Sequence, residues 1–163
     1  MQDEATRNGV ARVMIVDDEE MILTSLRSLL ELDTDYDVTT FTAAKEALES
    51  LSSNHVDLVI SDHAMPDMTG IDFLGKVKEI DPNITRIILT GYADKESAIR
   101  AINEVGLFQY IEKPWDNENL KLIIRNGIEK QKLMRELDRK VQEIQKAYND
   151  LQGLNNEILK AFA

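Results

Sequence analysis

Apolar residues recur along this chain in two rhythms. Four short runs stand out: Val13 to Val16, Leu58 to Ile60, Ile87 to Leu89 and Phe108 to Ile111. They are rich in β-branched residues and closed by polar or turn residues, the signature of buried strands. With the half-apolar run at 36–41 they predict strands near 11–16, 36–41, 56–61, 84–90 and 107–111. Between them the spacing changes to three and four, which predicts helices near 19–31, 42–52, 70–80 and 94–104. Met21, Ile22, Leu26, Leu29 and Leu30 give the first helix its apolar stripe. Thr42 is a suitable N-cap for the second. Asp81-Pro82-Asn83 turns the chain after the third, and Gly91 closes the fourth strand. Five strands alternating with helices make an α/β protein with a parallel sheet.

The rhythm changes once more after Pro114. No proline follows, and the pattern is helical to the last residue. Leu120, Ile123, Ile124 and Ile128 form an apolar face suited to docking on a sheet. Further on, Met134, Leu137, Val141, Ile144, Tyr148, Leu151, Asn155, Ile158 and Phe162 alternate steps of three and four. That is an a/d heptad frame with one polar a position, Asn155. The two faces are out of frame between Gly127 and Met134, so a docked helix should hand over there to a free-standing coil. A helix from 115 to 160 is about 65 Å long. Val141 at a, with Leu137 and Leu151 at d, suits a parallel dimer in which Asn155 fixes the register. Antiparallel pairing and folding back on the chain's own core are the alternatives. The divisions are a loose polar tail over 1–9, a core domain over 10–130 and a coiled-coil helix over 131–163.

Each strand ends in residues with chemistry to offer. Asp17-Asp18 follows the first, Ser61-Asp62 the third, Thr90 the fourth and Glu112-Lys113-Pro114 the fifth. An open parallel sheet builds its sites beyond the carboxyl ends of its strands. Three carboxylates, a hydroxyl and an ammonium should therefore converge. Three acids without a cation repel one another, and a hard divalent ion with oxygen ligands relieves this, with Mg2+ the natural candidate. Blander readings exist: Asp62 as a turn acid, Lys113 as a surface charge, Tyr110 as an ordinary strand aromatic.

The segment Asp62-His63-Ala64-Met65-Pro66-Asp67-Met68-Thr69-Gly70 resembles the D-x-x-M-P-x-M-x-G loop of bacterial response regulator receiver domains. Asp17-Asp18, Thr90 and Lys113-Pro114 fall in that family's order and roughly its spacing. The resemblance spans about residues 10–130 and is specific because five elements agree in order. It implies a flavodoxin-like, doubly wound sheet of order 2-1-3-4-5. It implies Asp62 as phosphoacceptor, and Asp17, Asp18, Asp62 and the Ala64 carbonyl as Mg2+ ligands. Lys113 would contact the phosphoryl oxygens, and the Lys113–Pro114 bond is cis in family members. Thr90 and Tyr110 would form the switch. Ala64 and Tyr92 stand where the family tunes attack by water; an alanine orients no water and the tyrosine shields, so the phosphoryl group should persist. A sensor histidine kinase or phosphotransfer protein would be the donor. Rivals from other classes are a phosphorylation-independent scaffold and an Asp-based phosphatase of the haloacid dehalogenase kind. The latter would carry its nucleophile in a D-x-D pattern after the first strand, whereas here that strand ends Asp17-Asp18-Glu19.

Composition narrows the setting. There is no cysteine and there are two histidines, so a zinc or disulfide framework is not expected. His63, beside Asp62, is expected to face solvent, and His55 has no evident partner. No run of 18 or more apolar residues suggests a membrane span, and the first residues lack a signal peptide's pattern, so a cytoplasmic protein is expected. Net charge is −11. It is uneven: residues 1–116 hold 10 Lys/Arg against 23 Asp/Glu, and 117–163 hold 9 against 7. An acidic core is poorly suited to phosphate backbones, so no direct nucleic-acid binding is expected. Neither a second core nor an output enzyme is visible.

Overall fold

A computed structural model describes residues 9–162. The chain divides into two compact units, one ending at Gln131 and the other beginning at Lys132.

The first unit is built on five parallel strands: β1 (Arg12–Val16), β2 (Asp37–Phe41), β3 (Leu58–Asp62), β4 (Thr85–Thr90) and β5 (Gln109–Glu112). Their order is β2-β1-β3-β4-β5, the flavodoxin-like order. Around them run α1 (Glu20–Asp33), α2 (Ala44–Leu51), α3 (Gly70–Ile80), α4 (Lys95–Glu104) and the first part of α5 (Asn117–Ala161). β3 and β4 are buried throughout, as expected for central strands covered on both faces. Successive side chains of one strand face opposite sides, which splits the core in two. Val13 and Ile15 pack with Leu23, Leu26 and Leu30 of α1 and with Leu120, Ile124 and Ile128 of α5. Met14 and Val16 pack with Ala44 and Ala47 of α2, Phe73, Leu74 and Val77 of α3, and Ala98 and Ala101 of α4.

Two local expectations need correction. Met21 does not belong to the α1 stripe: it is 82% exposed, and Leu23 is buried in its place. At about 100° per residue, Met21 lies roughly 200° round the helix from Leu23. Thr42 is not the cap of α2, which begins at Ala44 with Ala43 before it and no side-chain cap from that residue. The Lys45 N–H donates instead to Asp67 Oδ2, 3.0 Å away on the β3–α3 loop. A carboxylate at a helix N-terminus satisfies a free donor and meets the positive end of the helix dipole.

Helix α5 approaches the sheet closely at Gly127. A Cβ there would stand 2.9 Å from both Leu58 Cδ1 and Thr85 Cγ2, and 3.4 Å from Phe108 Cδ1. The Thr85 hydroxyl donates to the Gly127 carbonyl at 2.8 Å. Lys130 Nζ lies 5.3 Å from the Phe108 ring centroid. Beyond Gln131 the large apolar side chains of α5 are exposed. Among the described residues no helix is long and apolar enough to cross a membrane.

Candidate functional site

The pocket lies beyond the carboxyl ends of β1, β3 and β5. Asp17, directly after β1, is fully buried, and Asp62, the last residue of β3, is nearly so. Asp18 is exposed and opens the cluster to solvent. One carboxylate oxygen from each of the three lies within 4.8 Å of the others. Lys113 reaches in from the residue after β5. Its Nζ donates to Asp17 Oδ2 and to Asp62 Oδ1, at 3.1 Å each. Its backbone N–H donates to the Thr90 carbonyl at 2.9 Å, and the Lys113–Pro114 bond is cis.

The electrostatics follow from this crowding. Burial pushes the Asp17 carboxyl above its ordinary value, and the charge on Asp62 adds to the rise; the Glu19 N–H, donating to Asp17 Oδ1 at 2.9 Å, and Lys113 oppose it. Burial alone would lower the Lys113 ammonium, but Asp17 and Asp62 outweigh it and hold it above the usual lysine range. Asp17 and Asp62 thus share the Lys113 ammonium, and Asp18 adds a third carboxylate to the cluster. The donor set is all oxygen, clustered and under-neutralised, which fits a hard divalent cation.

The surroundings position Asp62. The His63 N–H donates both to Asp62 Oδ1 at 2.9 Å and to the Leu89 carbonyl at 3.1 Å. The Ser61 hydroxyl donates to the Asp62 carbonyl at 2.8 Å. Gly70 donates its N–H to the His63 carbonyl at 2.8 Å, and any Cβ on it would collide with the Asp62 carbonyl oxygen. Only glycine permits this approach. The sequence had shown Gly70 as a motif residue without this role, and nothing local signals the Asp67 cap on α2.

The other anticipated residues lie at varying depth. Thr90 is buried at the end of β4, its hydroxyl donating to the Gly91 carbonyl at 3.1 Å. Tyr110, on β5 opposite Ile88, is half-buried against the α2–α3–α4 side of the core. Ala64 is exposed on the loop. Tyr92, in a single 3₁₀ turn before α4, is 85% exposed. His55 does have a partner: its Nε2 is 2.9 Å from Asp57 Oδ1, at the opposite end of the sheet.

Fold and pocket together define a class: a doubly wound α/β domain with an acidic, lysine-bridged crevice. Residues 13–125 match the response regulator receiver domain, and the chain belongs to that family, the receivers of two-component systems. Phosphorylation and Mg2+ are general features of it. A relative is the hydrogenase transcriptional regulatory protein HoxA of Cupriavidus necator, 39% identical over 129 residues, which are 79% of this chain and 26% of that protein. The chain thus spans about a quarter of that relative's length. Among solved structures, a response regulator receiver domain protein from Clostridium thermocellum superposes with a TM-score of 0.72 at 38% identity, over 77% of this chain and 99% of that one. The receiver domain of an HD domain-containing protein from Pseudomonas fluorescens gives 0.73 at 38%, over 78% and 93%.

Proposed function

We propose that Asp62 accepts a phosphoryl group from a phosphohistidine of a sensor histidine kinase or phosphotransfer protein, and that the modified domain signals through α5. An oxygen of Asp62 forms the new bond to phosphorus as the bond to the donor's imidazole nitrogen breaks. The observation that carries this reading is Lys113 Nζ, 3.1 Å from both Asp17 and Asp62: a cation already stands where phosphoryl oxygens would arrive. Asp17, Asp18, Asp62 and the Ala64 carbonyl would hold Mg2+, which when bound supplies neutralisation of the acids and of the phosphoryl oxygens. Lys113 then binds a phosphoryl oxygen in place of Asp62. The Thr90 hydroxyl leaves the Gly91 carbonyl for the phosphoryl group, and Tyr110 turns inward. This remodels the face made by α4, β5 and α5, a two-state element biased by local charge.

The message passes to an output domain or partner through residues 131–163, paired as a homodimer along the Met134-to-Phe162 seam. The acidic domain works in the cytoplasm and makes no nucleic-acid contact of its own. Ala64 orients no water, so the phosphoryl group is long-lived; shielding by Tyr92 requires a rotation from its exposed position. The test is incubation with a small phosphodonor and Mg2+, followed by intact-mass measurement. One phosphoryl addition is expected, lost in Asp62→Asn, with label persisting for minutes or longer. Full labelling of Asp62→Asn overturns the acceptor assignment, and decay within seconds overturns the longevity.

A further inference from the structure

Residues 132–162 carry a full heptad pattern, and its columns differ sharply. With Met134 and Val141 at a, the c column reads Glu136, Glu143, Asp150, Glu157, and the f column reads Lys132, Arg139, Lys146, Gly153, Lys160. Columns c and f are helical neighbours, three and four residues apart; Arg139 Nη2 and Glu136 Oε1 are 3.8 Å apart. The opposite charges therefore lie within reach of one another on one face of the same helix. The e and g columns beside the seam are different. In place of the charged ladders of a two-stranded zipper, g holds Leu133, Lys140, Ala147, Leu154 and Ala161, and e holds Asp138, Gln145, Gln152 and Leu159. Leu133, Leu154 and Leu159 are 63%, 54% and 62% exposed.

The apolar face is thus three columns wide, a, d and g, which is the width of a bundle helix and not of a two-stranded seam. The core positions agree. Ile144 and Ile158 occupy d, where β-branched residues favour more than two strands. Tyr148 and Phe162 place aromatic rings at a, where a two-stranded core is narrow.

We propose that four copies of this chain associate through residues 132–162, the a and d columns pairing two helices and the g column joining two such pairs. This rests on the reading that the helix self-associates, and it fixes the number of copies. A second copy is the occupant because the face is self-complementary. In a parallel pair each g residue meets the e residue five positions on in its mate, so Leu154 meets Leu159, and Asn155 meets Asn155. The two charged flank residues, Asp138 and Lys140, face Leu133 and Gln145 in such a pair, so the flanks hold no ionic code for a foreign helix.

Light scattering after size exclusion, on the full chain at tens of micromolar, decides the number. The expected mass is that of four chains. Leu154→Glu should bring it to two chains with helical circular dichroism retained, and Gln142→Glu, in the outward b column, should leave it at four. A wild-type mass of two chains overturns the four-copy proposal and leaves the dimer reading standing. A mass of one chain overturns both. A Leu154→Glu variant that stays at four chains removes the g column from the interface and overturns its assigned part.

Discussion

Asp17 and Asp62 approach one ammonium from two strands, and Asp17 bears the larger burden because it has no exposure to water. Its raised pKa has a consequence with a definite sign. The folded state favours the protonated acid relative to the unfolded chain. The associated stability is full below the unfolded pKa and is lost as pH rises through the folded one. At neutral pH without metal, ionised Asp17 is thus a cost. Asp17→Asn keeps an oxygen for the Glu19 N–H and removes the charge. It should raise the thermal midpoint in metal-free buffer by about 2–4 °C. In the natural chain Mg2+ should raise the midpoint by mass action, and in the variant it should not. Scanning calorimetry with and without Mg2+ checks both; a variant less stable than the natural chain in metal-free buffer counts against the repulsion.

At the scale of elements, α5 docks by omission. Gly127 would ordinarily weaken a helix by about 1 kcal/mol relative to alanine, yet Gly127→Ala should destabilise the domain. Its methyl would meet Leu58 and Thr85 at 2.9 Å, and a β-branched threonine has little freedom to yield. Overpacking of this kind costs about 1–3 kcal/mol, so after the helix gain the net loss should be at most about 2 kcal/mol. A lower urea midpoint at unchanged slope would show it. Such contacts mark the limit of what a sequence displays. The strand ends were legible because apolar runs stop abruptly at Asp17, Asp62, Thr90 and Lys113, and the topology then brings three of these together. The apolar face from Leu120 to Ile128 was legible from spacing alone. Met21 was not, because a residue at the start of a helix reads as apolar whichever way it points. Neither was the Asp67 cap on α2, which joins residues 22 positions apart, nor the close approaches at Gly70 and Gly127, which depend on what the fold places opposite them.

At the scale of the whole chain, the division at Gln131 separates two tasks. The first unit carries the full acidic pocket, and the second carries the exposed seam. A chain stopped after Gln131 should fold, take one phosphoryl group on Asp62 and sediment as a monomer, while the full chain sediments as an oligomer under the same conditions. An oligomeric short form would move the association surface onto the receiver.

Gly70 offers a way to silence this protein without editing any of its chemistry. A methyl group there must displace the backbone of Asp62. Gly70→Ala would keep all three acids, the lysine, the threonine and the net charge of −11. Its phosphoryl uptake should nevertheless fall at least tenfold, a loss visible in a labelling time course while circular dichroism stays native. Such a variant would be a control that Asp62→Asn cannot be. The asparagine removes a charge and relaxes the pocket. The alanine leaves the electrostatic landscape intact and spoils only the aim, so a cell carrying it would report what correct placement alone contributes to the signal.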